Sequence, residues 1–224
     1  MKLIAEGGLR LLVVLLAFFF LCFSLLEART RILSADILFL SEVATRADGY
    51  KEALLRSSHD SQAIIERGSC ASDIVDAGVV VLLRGLDYVD QDQEFELWRE
   101  KISLAKEFVS FGLRCDPQDG SLWLRLAMIY QATGESPARV AELARLSQEF
   151  APAEEAILVA RMAFWNRSSV TVLELGQVSF WKDVRTICIF GGVRVLNQLP
   201  PPSKSMALFW RRSIREIERT DWCG

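Results

Sequence analysis

The sequence predicts an all-α protein: one N-terminal transmembrane helix, then an antiparallel stack of helices. Three observations carry this. An uncharged apolar run fills Leu11–Leu26. Apolar residues then recur at helical spacing, between helix start and stop signals, through most of the chain. Hydrophobic residues make up 51% and charged residues 25% of 224 positions, enough to bury a core and too apolar for a disordered chain.

The first element is Leu11–Leu26, LLVVLLAFFFLCFSLL, without charge, proline or glycine. With Gly7, Gly8, Leu9 and Ala28 around it, the stretch reaches the roughly 20 helical residues that a ~30 Å hydrocarbon core requires. Arg10 and Glu27 stand at its ends, where long side chains reach the interface. A soluble helix this uniformly apolar has no face for water. A cleaved signal peptide is the rival, with Lys2 and Arg10 as its basic region. Its apolar core would exceed the usual ~7–15 residues. Ala28 follows Leu26 and Glu27, a poor cleavage context, and Ser34-Ala35 lies far downstream. We therefore expect an uncleaved signal anchor over 11–28, behind a short tail at 1–10. Lys2 and Arg10 on one side nearly balance Arg29, Arg31, Arg46 and Lys51 on the other, so the charge rule for orientation is close to a tie. A short N-terminal tail normally stays in the cytoplasm. That favours a domain outside it, periplasmic in a bacterium.

A juxtamembrane helical region is expected over 29–67, with a break at Asp48-Gly49 and a polar stretch, Ser57–Ser61, suited to a loop. Gly68 ends it as a C-cap. Ser72 or Asp73 starts the next segment, which runs to about Tyr88. Its Val79-Val80-Val81-Leu82-Leu83 run fits a buried strand or a buried helix, and the flanking helices favour the helix. An acidic loop follows over 87–94, then a long helix from Phe95 to Arg114. Ser136-Pro137 is a helix start of cap plus proline at the first turn. A helix is expected from there to near Pro152, and another over 153–165. The segment 168–224 carries apolar runs at Val170–Val178 and Val184–Ile189, interruptions at Gly191-Gly192 and Pro200-Pro201-Pro202, and a last amphipathic helix over 206–219.

One pattern is specific. Trp123, Leu126, Ala127 and Tyr130 fall at W-x-x-L-x-x-x-Y spacing, with Gly134 at the following turn. Ala105, Val109 and Gly112 precede them, closed by Asp116-Pro117. This segment resembles the tetratricopeptide repeat, a 34-residue helix-turn-helix unit. The match covers 105–152, extends loosely over 70–165, and is one residue out of register in its second helix. The resemblance implies a right-handed helical stack over 68–167, and protein–protein interaction through its concave surface. Trp123 and Tyr130, seven apart on one face, are expected to pack in the core. Arg125 shares that helix and is the candidate protein-binding residue.

The rest narrows the chemistry. Net charge is −3 with both signs interspersed, so no nucleic-acid surface is expected. The basic cluster Arg211, Arg212, Arg215 and Arg219 is diluted by Glu216 and Glu218. The single histidine, His59, lies in a polar stretch, and no phosphate loop, H-E-x-x-H or G-x-S-x-G motif occurs. No catalytic residue, cofactor, metal or small-molecule substrate is expected, and the chain is not read as an enzyme. Cys70, Cys115, Cys188 and Cys223 lack metal-ligand spacing. They either form two disulfides in an oxidising compartment or serve as four small buried hydrophobes, and the frequent burial of free cysteine favours packing. Asn166-Arg167-Ser168 fits a glycosylation sequon, a pattern that arises readily by chance. The expected function is a membrane-anchored scaffold for an unidentified protein partner, in cell-envelope assembly or polysaccharide export. The alternative is an accessory subunit of a polytopic membrane enzyme or transporter.

Overall fold

The structure, a computed structural model, describes residues 2–44, 50–191, 195 and 197–217. The expected break at Asp48-Gly49, together with Gly192, Arg219 and Cys223, lies outside them. All regular structure among the described residues is helical. The chain divides into two compact units, Met1–Leu104 and Ala105–Gly224. That division falls inside the segment 68–167 that sequence patterning treats as one core.

In the first unit, α1 runs Lys2–Leu33 without interruption, past the expected anchor end at residue 28. From Leu12 to Leu33 it is long and apolar enough to cross a membrane, and none of its most apolar window is buried by the chain. A single turn at Ser34 leads to α2, Ala35–Ala44. Arg31 bonds Glu27 one turn back and Asp73 across the chain, at 2.9 and 2.8 Å, tying the end of α1 to the next layer. The short helices α3, Lys51–Arg56, and α4, Ser58–Arg67, meet at Ser57. The expected loop at Ser57–Ser61 is therefore helical. Its buried serines turn their hydroxyls onto the backbone: Ser57 Oγ donates to Leu54 O at 2.7 Å and Ser61 Oγ to Ser57 O at 3.2 Å. Satisfied in this way, they fit a helix that polarity alone argues against. Gly68 ends α4 at φ 64°, a left-handed cap whose N–H reaches Ile64 and Ile65 carbonyls.

The Val-rich run forms α5, Ser72–Leu86, a helix and not a strand. α2, α3 and α4 all pack on it, so it needs no broad polar face. Ile74, Val75, Val79, Val81 and Leu82 are buried, and Leu40, Ala44 and Leu54 close over Val81. The cap differs from expectation: Ala71 stands at the N-cap with no side-chain bond, and Asp73, besides its pair with Arg31, accepts from the adjacent Ile74 N–H. In the acidic loop, Asp90 Oδ1 accepts the N–H groups of Asp92 and Gln93, a side-chain turn ahead of α6, Phe95–Cys115.

The second unit takes in the last part of α6 and the following helices. Helix α7, Gly120–Ala132, is capped by Asp119, whose carboxylate accepts from Ser121 and Leu122 N–H. Gly134, at φ 71°, makes the turn. Helix α8, Pro137–Phe150, starts on Ser136 with proline in its first turn, as the sequence indicates. Helices α7 and α8 form a close hairpin. A Cβ at Gly120 would lie 2.5 Å from Ala151 Cβ, so glycine is what admits the chain end of α8 here. Then come α9, Glu155–Arg167; α10, Val170–Leu175; and α11, Gln177–Thr186. A π turn, Ile187–Gly191, follows α11. The amphipathic α12, Lys204–Ile217, packs on α9 and α10 through Met206 and Phe209.

Candidate protein-docking surface

Trp123 and Tyr130, expected in the core, are instead half-buried, and each makes its contacts at the edge of the hairpin. Trp123, half-buried, donates its indole N–H to Pro117 O at 2.8 Å and so closes the turn before α7. Tyr130 presents its ring to the Lys106 ammonium, 4.2 Å from the centroid, and Lys106 also pairs with Glu135 at 3.1 Å. Burial works against the Lys106 charge, but Glu135 and Tyr130 outweigh it and hold the ammonium above its ordinary value. Gly112 and Ala127 are both buried, in keeping with close helix approach. Arg125 is half-buried on α7 and already interacts with the rest of the chain.

A groove of about 680 Å³ lies beside this hairpin, between α8 and the α10–α11 corner. Its buried floor is Ala141, Gln148, Gly176 and Ser179. Glu142, Arg145 and Glu149 rim the α8 side, and Lys182 rims the α11 side. Leu175, the last residue of α10, and Val178 of α11 stand on the opposite lip, 56% and 66% exposed. Within the α8 rim, Arg145 bonds both Glu142 and Glu149. The Arg145 guanidinium holds the Glu142 carboxyl below its ordinary value.

Two buried features fix the groove's walls. Arg161, in the apolar middle of α9, is fully buried and grips Asp183 of α11 through Nε and Nη2 at 2.8–3.1 Å. Its Nη1 donates to Ser147 O, Ser147 Oγ and Ala151 O at the end of α8. Trp165 Nε1 completes the cluster, donating to Asp183 Oδ2 at 3.0 Å. Burial pushes the Asp183 carboxyl above the ordinary carboxylate value, while Arg161 and Trp165 pull the other way. One guanidinium thus joins α8, α9 and α11. At the corner, Gly176 lets the Trp165 ring approach: a Cβ there would lie 2.6 Å from it.

A second, smaller cavity of about 360 Å³ is apolar, with Met162, Ile187, Met206 and Trp210 against the Pro200–Pro202 strap. Asn166 holds that strap: its Nδ2 donates to Pro201 O at 2.9 Å and its Oδ1 accepts from Ser203 N at 2.6 Å. The sequon asparagine is thereby committed to the fold.

The cysteines correct the preferred packing role. Cys70, Cys115 and Cys188 are disulfide-bonded, and Cys70 is exposed. Cys22, on α1, is free. His59 is exposed on α4. No cluster of three or more His, Cys, Asp or Glu side chains suited to a metal ion occurs among the described residues.

Sequence reasoning missed the Arg161–Asp183 cluster. One signal was available: Arg161 interrupts the apolar run Ile157–Phe164, and a charge in such a helix needs a partner. Nothing local marks Asp183 as that partner. No family model, curated protein or solved structure matches the chain.

Proposed function

We propose that this chain is a single-pass, membrane-anchored helical scaffold, with its soluble domain outside the cytoplasm and a protein partner as its ligand. The observation that carries the reading is the bare apolar surface of α1. Twelve large apolar side chains from Leu12 to Leu26 are each about half or more exposed. At about 1 kcal/mol or more each, moving them into hydrocarbon gains on the order of 10–20 kcal/mol, as much as a whole domain's folding stability. Water is not the medium for such a helix.

The disulfide-bonded cysteines support an extracytoplasmic domain, since structural disulfides persist in oxidising compartments. Protein binding is supported by the repeat-like spacing of Trp123, Ala127 and Tyr130, by the close α7–α8 hairpin, and by the groove beside it. Cell-envelope assembly or polysaccharide export is the setting we infer for such a scaffold.

The test is carbonate extraction and protease protection of the full chain with a C-terminal tag. A carbonate-resistant protein whose tag is digested only after the outer compartment is opened is the expected result. Digestion only after lysis of the inner membrane overturns the orientation. Release by carbonate with a shortened N-terminus overturns the anchor itself. Detergent co-purification of a polytopic protein that depends on α1 would favour the accessory-subunit reading instead.

A further inference from the structure

The groove between α8 and α11 has knob and hole on one face. Leu175, at the end of α10, and Val178 of α11 project from one lip at 56% and 66% exposure, beside a floor that includes the small residues Ala141, Gly176 and Ser179. Such a face is complementary to itself: a two-fold axis running along the groove sets Leu175 and Val178 of each copy against the other's α8 wall, where Ala138 and Ala141 leave room. We propose that the groove seats a second copy of this chain in a two-fold contact.

Charge makes the same choice of occupant. The α8 rim carries Glu142, Arg145 and Glu149, a net charge of −1 (one cation less two carboxylates). Across the groove, the α11 rim carries Lys182. With its axis along the groove, a two-fold contact lays the α11 rim of each copy on the α8 rim of the other, so basic meets acidic twice. An unrelated partner would have to reproduce this split pattern, whereas a second copy supplies it.

The length suits a helix-on-helix contact. Ala138, Ala141, Glu142, Arg145 and Glu149 share one face of α8 over three turns, about 16 Å at 1.5 Å per residue. Leu175, Val178, Ser179 and Lys182 repeat the same spacing on the facing wall. Both walls are braced from behind by Arg161, so the surface is formed before a partner arrives.

Self-association of the full chain in detergent micelles tests this, read by sedimentation and by energy transfer between C-terminally labelled copies. The wild type is expected to pair. Val178→Asp and Lys182→Glu should each weaken pairing at least about tenfold, while Leu208→Asp, on exposed apolar surface of α12, leaves it unchanged. Circular dichroism on each variant separates lost pairing from lost fold. The decisive sample mixes a Lys182→Glu copy with a Glu142→Lys/Glu149→Lys copy: the mixed pair restores opposite charges at both contacts, and each variant alone repels itself. Preferential mixed pairing supports the two-fold contact. A single-copy wild type, pairing indifferent to Val178→Asp, or no preference in the mixture each overturns it. None of these outcomes bears on membrane anchoring, which the fractionation reads separately.

Discussion

Asp183→Asn is the substitution with the largest consequence to work out. Both Arg161 and Asp183 are fully buried. The aspartate accepts three guanidinium bonds and the Trp165 N–H. An amide of the same shape keeps the volume but removes the charge, leaving a guanidinium with no counter-ion and no water. Stranding one member of a buried pair costs about 3–5 kcal/mol. For a chain of this size each kcal/mol lowers the melting temperature by about 2–4 °C, so the drop should be roughly 6–20 °C. Circular dichroism melting of the full chain in detergent measures it. The partner experiment is Arg161→Met/Asp183→Leu. Removing both charges relieves the stranded ion, but Ala151 O loses the Arg161 donor, at about 1–3 kcal/mol for an unsatisfied carbonyl, while Ser147 O keeps the Ala151 N–H. The double variant should therefore recover part of the loss and not all of it. A drop under about 3 °C for Asp183→Asn, or a double variant no better than the single, would refute the argument that this pair braces the second unit.

Three further outcomes follow from the geometry. Gly176→Ala should cost about 1–3 kcal/mol, because its Cβ would lie 2.6 Å from a Trp165 ring that is itself buried and bonded. Gly85→Ala, where the nearest atom is Leu54 O at 3.5 Å, should be neutral or stabilise α5 by up to about 1 kcal/mol; thermal melts of both variants check the contrast. The Glu142 carboxyl is depressed in the folded state by Arg145, so its contribution is present at neutral pH and fades as pH falls through the folded value, below the ordinary glutamate range. With the side chain 43% exposed, solvent screening limits this to a few tenths of a kcal/mol, and the small stability gap between wild type and Glu142→Gln should close in acid. Alkylation without reductant should label Cys22 in detergent and spare Cys70, Cys115 and Cys188. Peptide mass mapping before and after reduction reads this, and labelling of those three without reduction would contradict their bonded state.

Features under local chemical control are legible in the chain before it folds. An uninterrupted apolar run makes α1 a helix long and apolar enough to cross a membrane. Ser136-Pro137 and the left-handed positions Gly68 and Gly134 set helix ends, because capping bonds and positive φ act over one turn. The helical state of Ser57–Ser61 was not legible: it depends on hydroxyls turning inward once Leu54 and Ile64 are buried, and polarity alone argues the other way. Tertiary structure decided the rest. Arg161 and Asp183 are 22 residues apart, and only the packing of α9 on α8 and α11 makes them partners. The role of Gly176 follows from where the Trp165 ring lands, and the groove exists only because those contacts set α11 beside α8. Caps and apolar runs are read from neighbours in sequence, whereas burying a charge, admitting a ring or bonding a cysteine depends on residues that meet only after the helices pack.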